Sequence, residues 1–257
     1  MSFQVISVSL ARNMNHDFRT FIQELEGEIL SWPLDVLLGV FPEYCWRKTH
    51  PSEVFDYIDI LKTKIRSNLV LVLGTLEFVH NGSYTANGIV LHNSILHFIP
   101  KTKVLNDEVR KGLSPGINPG VIEFPCFRLG VLDCADLWEP SLLYELVIKQ
   151  GANIIAVPAW TNTLPGYRDS ARQLWHSLAR TESIRYGVVI IVADHLKNYP
   201  DYDVGNATVI FTPDNRNKKF PTEEFVERDL ELIDLEKVQA ASQRWKDKGL
   251  APTIINS

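Results

Sequence analysis

The sequence predicts an α/β protein in which both faces of the sheets are covered. Continuous apolar runs, such as Val36 to Phe41 and the run ending at Pro158, read as strands buried on both sides. Between them lie segments whose apolar residues recur at helical spacing. The chain has 257 residues, 45% hydrophobic and 22% charged, enough for a sizeable core of ordinary globular composition. No repeat, linker or low-complexity stretch divides it, so one domain over residues 1–257 is expected.

Val5 to Leu10 alternates as a strand, and Asp17 to Leu30 carries Phe18, Phe21, Ile22, Leu25 and Ile29 at helical spacing. Trp32-Pro33 ends that helix, and the apolar run Val36 to Phe41 follows. Pro51, Ser52 and Glu53 open a second helix, predicted to reach Ser67. Leu69 to Leu73 is a buried strand. Asn81-Gly82 then marks a hairpin, and a second strand pair turns at Asn93-Ser94. A Gly/Pro-rich loop, Gly112 to Gly120, precedes a strand predicted over Phe124 to Leu132 and a helix over Ser141 to Gln150. The remainder reads as a strand from Asn153 to Pro158, a helix from Tyr167 to Tyr186, strands Val188 to Val192, Ala207 to Phe211 and Phe225 to Ile233, and a polar helix from Glu236 to Lys246. The order βαβαβ followed by hairpins suits layered α/β architecture.

The net charge of -5 leaves no basic footprint for nucleic acid. No apolar run is long enough to span a membrane, and Val5 to Leu10 lacks the basic flank of a signal peptide. Cys45, Cys126 and Cys134 are too few and scattered for a disulfide framework or a zinc site. A reducing cytoplasm is therefore the expected compartment, with no metal expected.

Cys134 stands at a strand-to-helix turn, where backbone N–H groups and the helix dipole favour an anion. A free cysteine usually just packs, so position alone leaves packing and catalysis both open. Glu43, Lys101 and Trp160 share its placement just past apolar strands, where open α/β sheets form their binding crevice. None of the seven histidines has a sequence context that pairs it with Cys134. Tyr44, Trp46, Trp138 and Trp160 are either packing residues or pocket walls, with Tyr44 and Trp160 the better candidates for walls.

The motifs Phe41-Pro42-Glu43, Lys101-Thr-Lys-Val104, Gly130-Val-Leu-Asp-Cys134-Ala-Asp136 with Pro140, Gly151-Ala-Asn-Ile-Ile-Ala-Val-Pro158 and Ala179-Arg180-Thr-Glu182-Ser183 follow one another. In this order they resemble the nitrilase, or carbon–nitrogen hydrolase, superfamily, over roughly residues 3 to 245. The resemblance implies a four-layer α-β-β-α sandwich and a cofactor-free site. It implies Glu43 as general base, Cys134 as nucleophile, and Lys101 with the Ala135 N–H as oxyanion donors. Glu108 is then the candidate second glutamate, and Lys103 the rival lysine, two residues late in its motif. Ser141 and Ser183 depart from the usual Glu and Asn at structural positions. The implied activity is hydrolysis of a small-molecule amide through a thioester, with amide preferred over nitrile because most of the superfamily resembles amidases. A non-catalytic binding or scaffold protein and a glutaminase-like amidotransferase partner are the alternatives. The resemblance also implies a homodimer packed through the helices after Cys134 and Trp160. The second of these carries Leu174, Trp175, Leu178 and Ile184 beside several arginines.

Overall fold

The structure is a computed structural model that describes residues 2–9, 18–46, 49–80, 82–117, 119–196, 203–214 and 228–248. Six strands make the first sheet: β1 (Ser2–Val8), β2 (Val36–Val40), β3 (Val70–His80), β4 (Ser83–His92), β5 (Ile95–Pro100) and a late strand, Arg228–Asp234. The second sheet is built from β6 (Val121–Glu123), β7 (Arg128–Val131), β8 (Ile154–Pro158) and the strands Val189–Ala193 and Val209–Phe211. Counted along the chain, β9 (Asn162–Thr163) and β11 (Asp203–Val204) pair with each other, β10 is Val189–Ala193, β12 is Val209–Phe211 and β13 is Arg228–Asp234. The spatial orders are β13-β1-β2-β3-β4-β5 and β12-β10-β8-β7-β6. Both sheets are parallel at the centre, β1-β2-β3 and β10-β8-β7, and antiparallel at their edges.

The apolar runs are continuous because each strand serves two cores. In β3, Val70 and Val72 face the other sheet, while Leu71 and Leu73 face the helices α1 (Phe18–Ser31) and α2 (Pro51–Lys64). In β8, Ile154 and Ala156 join the core between the sheets. Ile155 and Val157 pack toward a second helical layer, α4 (Pro140–Leu143) and α5 (Arg168–Tyr186). Period-two side-chain alternation therefore gives four layers, α-β-β-α, as the resemblance implied. α3 (Asn106–Arg110) and α6 (Leu235–Asp247) complete the helices. Truncating a fully buried residue such as Ile155 or Ile191 to alanine would remove about 2–5 kcal/mol of stability.

Local details differ from the sequence reading. α2 stops at Lys64, because Ile65 turns extended at φ -80°, ψ 153°. The strand expected over Phe124 to Leu132 is a hairpin. Phe124 to Phe127 turn around Pro125, closed by Phe124 N–H donating to Phe127 O at 2.9 Å, and β7 begins at Arg128. The helix expected over Ser141 to Gln150 is split into α4 and a π-helical segment at Tyr144–Lys149, and a separate 3-10 turn at Cys134–Trp138 precedes it. β3 runs on past Leu73 through an irregularity at Gly74. That glycine has φ +70°, and a Cβ there would stand 2.1 Å from Pro42 O, so only glycine lets β3 lie against the chain leaving β2. At the β4–β5 turn, Asn93 and Ser94 both adopt positive φ, the twist a two-residue hairpin needs. Asn81 of the preceding turn, Asp17 and residues 225–227 lie outside the described residues.

Candidate active site

The site forms where the strand ends of one sheet meet those of the other. From the first sheet, β2 delivers Glu43 and β5 delivers Lys101. From the second, β7 delivers Cys134 and β8 delivers Trp160. Two bonds cross this seam at Glu43. Its N–H donates to Ala159 O at 3.3 Å, and its carbonyl oxygen accepts from His195 Nε2, just past β10, at 2.6 Å. The backbone of Glu43 is thereby fixed independently of its carboxylate.

Lys101 is 1% exposed, among the largest fully buried side chains of the protein. Its Nζ donates to Glu43 Oε1 at 2.7 Å and to Glu108 Oε1 at 2.6 Å. An unpaired ammonium at that depth would be prohibitive, and two carboxylates make it tenable. Glu108 is fixed in turn. The Tyr44 hydroxyl donates to its Oε1 at 2.6 Å, and Leu105 N–H donates to its Oε2 at 2.7 Å, the capping interaction of α3. Lys103 faces outward, 41% exposed at its side chain and 3.6 Å from Glu139. The two lysines of the motif thus lie at different depths.

Cys134 follows β7 at φ +48°, a conformation costly for any residue with a Cβ. The backbone elbow is braced by Asp136, whose carboxylate accepts from Asp133 N–H at 3.2 Å and from both Thr102 and Lys103 N–H. Asp136 therefore ties the elbow to the segment that starts at Lys101. Behind it, Thr75 donates to buried Asp133 at 2.9 Å. Asp194 does similar work on the other side. It accepts from the N–H groups of Thr161, His195 and Ala207, which knits the chain ends leaving β8 and β10. The Cys134 thiol points to Trp160 O at 3.8 Å.

The electrostatics separate the two glutamates. Burial pushes Glu43 above the usual carboxylate range, and Lys101 only partly offsets it. Burial acts on Glu108 too, but Lys101, Tyr44 and Leu105 together hold it below its ordinary value. Glu108 is thus the settled anion, and Glu43 the carboxylate prepared to take a proton. Burial alone would pull Lys101 down. Glu43, Cys134 and Glu108 outweigh it, and the ammonium stays charged. One expectation is corrected here. The strand-to-helix turn was expected to favour an anion at Cys134, but burial, seconded by the Glu43 carboxylate, drives its thiol well above the ordinary range. The sulfur rests as a thiol.

Tyr44 and Trp160 meet edge to face with centroids 5.7 Å apart. They line a cavity of about 210 Å³ that also includes Trp46, Glu77, Tyr84 and Lys111. Ala135 is buried beside Cys134. Trp138 is not brought to this cavity. It is 37% exposed and packs edge-on against Trp175, with centroids 5.5 Å apart. Sequence reasoning did not single out Asp133, Asp136, Thr75 or His195 as parts of the site. Only Asp136 had a local signal, as the acid two residues after the cysteine.

No protein-family model matches the chain. An arylacetonitrilase of Aspergillus oryzae is 25% identical, over 83% of this chain and 75% of that protein. Among solved structures, Saccharomyces cerevisiae Nit3, a member of branch 10 of the nitrilase superfamily, aligns with a TM-score of 0.74 at 20% identity, covering 95% of this chain and 94% of that one. A carbon–nitrogen hydrolase of Helicobacter pylori aligns with a TM-score of 0.77 at 17% identity, over 95% and 93%. The four layers, the seam between their sheets and these likenesses agree: the chain has the fold of the nitrilase, or carbon–nitrogen hydrolase, superfamily.

Proposed function

We propose that this protein is a small-molecule amidase that works through a thioester on Cys134. The observation that carries the reading is the buried Lys101 ammonium, held by Glu43 and Glu108 beside the strained Cys134 elbow. Burying three ionisable groups together, next to a cysteine at positive φ, is costly for a fold that only needs to pack. Because the thiol rests protonated, its proton must leave as the sulfur attacks. Glu43, with its raised pKa, is the group suited to receive it. The sulfur bonds to the carbonyl carbon. The oxygen takes up negative charge and is held by Lys101 Nζ and the Ala135 N–H. Protonated Glu43 then returns its proton to the departing nitrogen as the C–N bond breaks, leaving a thioester. Glu43 next takes a proton from water, whose oxygen attacks the thioester carbon. The C–S bond breaks, the sulfur regains a proton, and a carboxylic acid is released. Glu108 and Tyr44 hold Lys101 in place throughout.

The same reading takes the substrate to be a small amide that enters past Tyr44 and Trp160. It places the protein in a reducing cytoplasm as a homodimer, needing no partner beyond its substrate and a second copy of itself. Intact mass after brief mixing with an amide panel tests the chemistry. An acyl adduct that appears on the wild type and is absent from Cys134→Ala is expected. An unmodified protein that still releases ammonia would overturn the covalent route.

A further inference from the structure

We propose that the end of the substrate remote from its amide carries a protonated amine, and that Glu77 receives it. The proposal rests on the amidase reading and names the substrate class for that site. The cavity shares Tyr44 and Trp160 with the candidate machinery, since Tyr44 bonds Glu108 and Trp160 O meets the Cys134 sulfur. Cys134 itself is not part of this lining, and the two rings are what separate it from the cavity, so a molecule held at Cys134 that passes along them reaches the space lined by Trp46, Glu77 and Tyr84.

Glu77 differs from the other carboxylates here. Glu43 and Glu108 are both committed to Lys101. Glu77 is half-buried, and its Oε2 accepts from the Tyr84 hydroxyl at 3.0 Å. Among the described residues it has no ion pair, so a carboxylate lines the cavity with one neutral donor bonded to it. A bound ligand that displaces water from this wall must supply donors or leave the carboxylate poorly solvated. An ammonium supplies three donors and a charge. The aromatic side chains around the cavity favour the same ion, because their ring faces attract cations. Lys111, the one lysine of this lining, is exposed and unpaired among the described residues. Water screens its charge far more than that of a half-buried carboxylate.

The test compares pentanamide with 5-aminopentanamide, and their four- and six-carbon homologues, on the wild type, Glu77→Gln and Tyr84→Phe. In the wild type the amino amide is favoured in kcat/KM by roughly ten- to a hundredfold, the range of one charge-assisted contact. That ratio falls toward one in Glu77→Gln and partway in Tyr84→Phe. A parallel arm does not depend on turnover: Cys134 alkylation, followed by mass, using iodoacetamide against bromoalkylamines of matched length. The wild type should favour the cationic reagent relative to the free-thiol rates, and Glu77→Gln should lose that preference. A wild-type ratio at or below one, or a ratio unchanged in Glu77→Gln, overturns the proposal. Absence of turnover on every amide, with the alkylation preference intact, overturns the amidase reading and leaves the amine site standing.

Discussion

At Cys134 two opposed demands meet in one residue, a backbone at φ +48° and a thiol kept protonated by burial and by Glu43. They are separable by substitution. Cys134→Ala removes the sulfur and keeps the strain, so it should abolish turnover while folding normally. Cys134→Gly removes both and should be more stable than Cys134→Ala by about 1 kcal/mol, read as a higher midpoint in urea. Equal midpoints would show that the elbow is not strained. On the proposed mechanism the pH dependence belongs to Glu43. Below its raised pKa it is protonated and cannot accept the thiol proton, so kcat/KM should climb with pH through an ionisation above the usual carboxylate range. That limb should vanish in Glu43→Gln together with the activity. An acid limb at an ordinary carboxylate pKa would remove Glu43 as base. The sequence carried Glu43, Lys101 and Cys134 because each ends an apolar strand, a pattern legible without coordinates. It did not carry the sign of the thiol shift, which depends on depth and on a carboxylate 91 positions away along the chain, and no local motif encodes either.

Among the elements, the segment after β5 and the 3-10 turn after β7 act as a pair, joined by the Asp136 carboxylate. Depth decides between the lysines: Lys101→Met should lose about 10²–10³ in rate, as for one oxyanion donor, and Lys103→Met should be mild. The reverse result would move the ammonium to Lys103. Asp136 adds a signature in stability. Burial raises it from 3.8 to about 6, so the folded state holds its proton more tightly than the unfolded chain. Its contribution is then fully present below pH 3.8 and is lost as pH rises through about 6. Asp136→Asn should flatten the fall in unfolding free energy over that window, and a slope unchanged in the variant would assign it to other acids. Strands and long helices were readable from period two and period 3.6. The split after Cys134 was not, because Leu142, Leu143 and Leu146 present the same apolar face to β8 whether the backbone is regular or π-helical.

For the whole molecule, strands apolar on both faces predicted covered sheets, the four layers came only through the resemblance carried by the motif order, and the pairing of particular strands rests on contacts distant in sequence. The expected homodimer is argued from the outer surface of the α4–α5 layer. There Trp138, Leu174 and Tyr167 remain exposed at 37%, 57% and 59% while Trp175 is buried. Sedimentation at micromolar concentration should give a dimer, and Leu174→Glu should shift it toward monomer with reduced activity. A fully active monomer would exclude this surface as an interface.

Glu43 and Lys101 come from one sheet and Cys134 from the other, so on the proposed function no portion of the chain holds the complete site until the two sheets have closed on each other. On that reading, turnover would report when the seam closes during folding. After dilution from denaturant, far-ultraviolet dichroism should recover ahead of enzymatic rate, since each sheet's helices and hairpins can form before the seam does. Catalysis should return in step with protection of the Glu43 amide from hydrogen exchange, because that N–H bonds across the seam to Ala159.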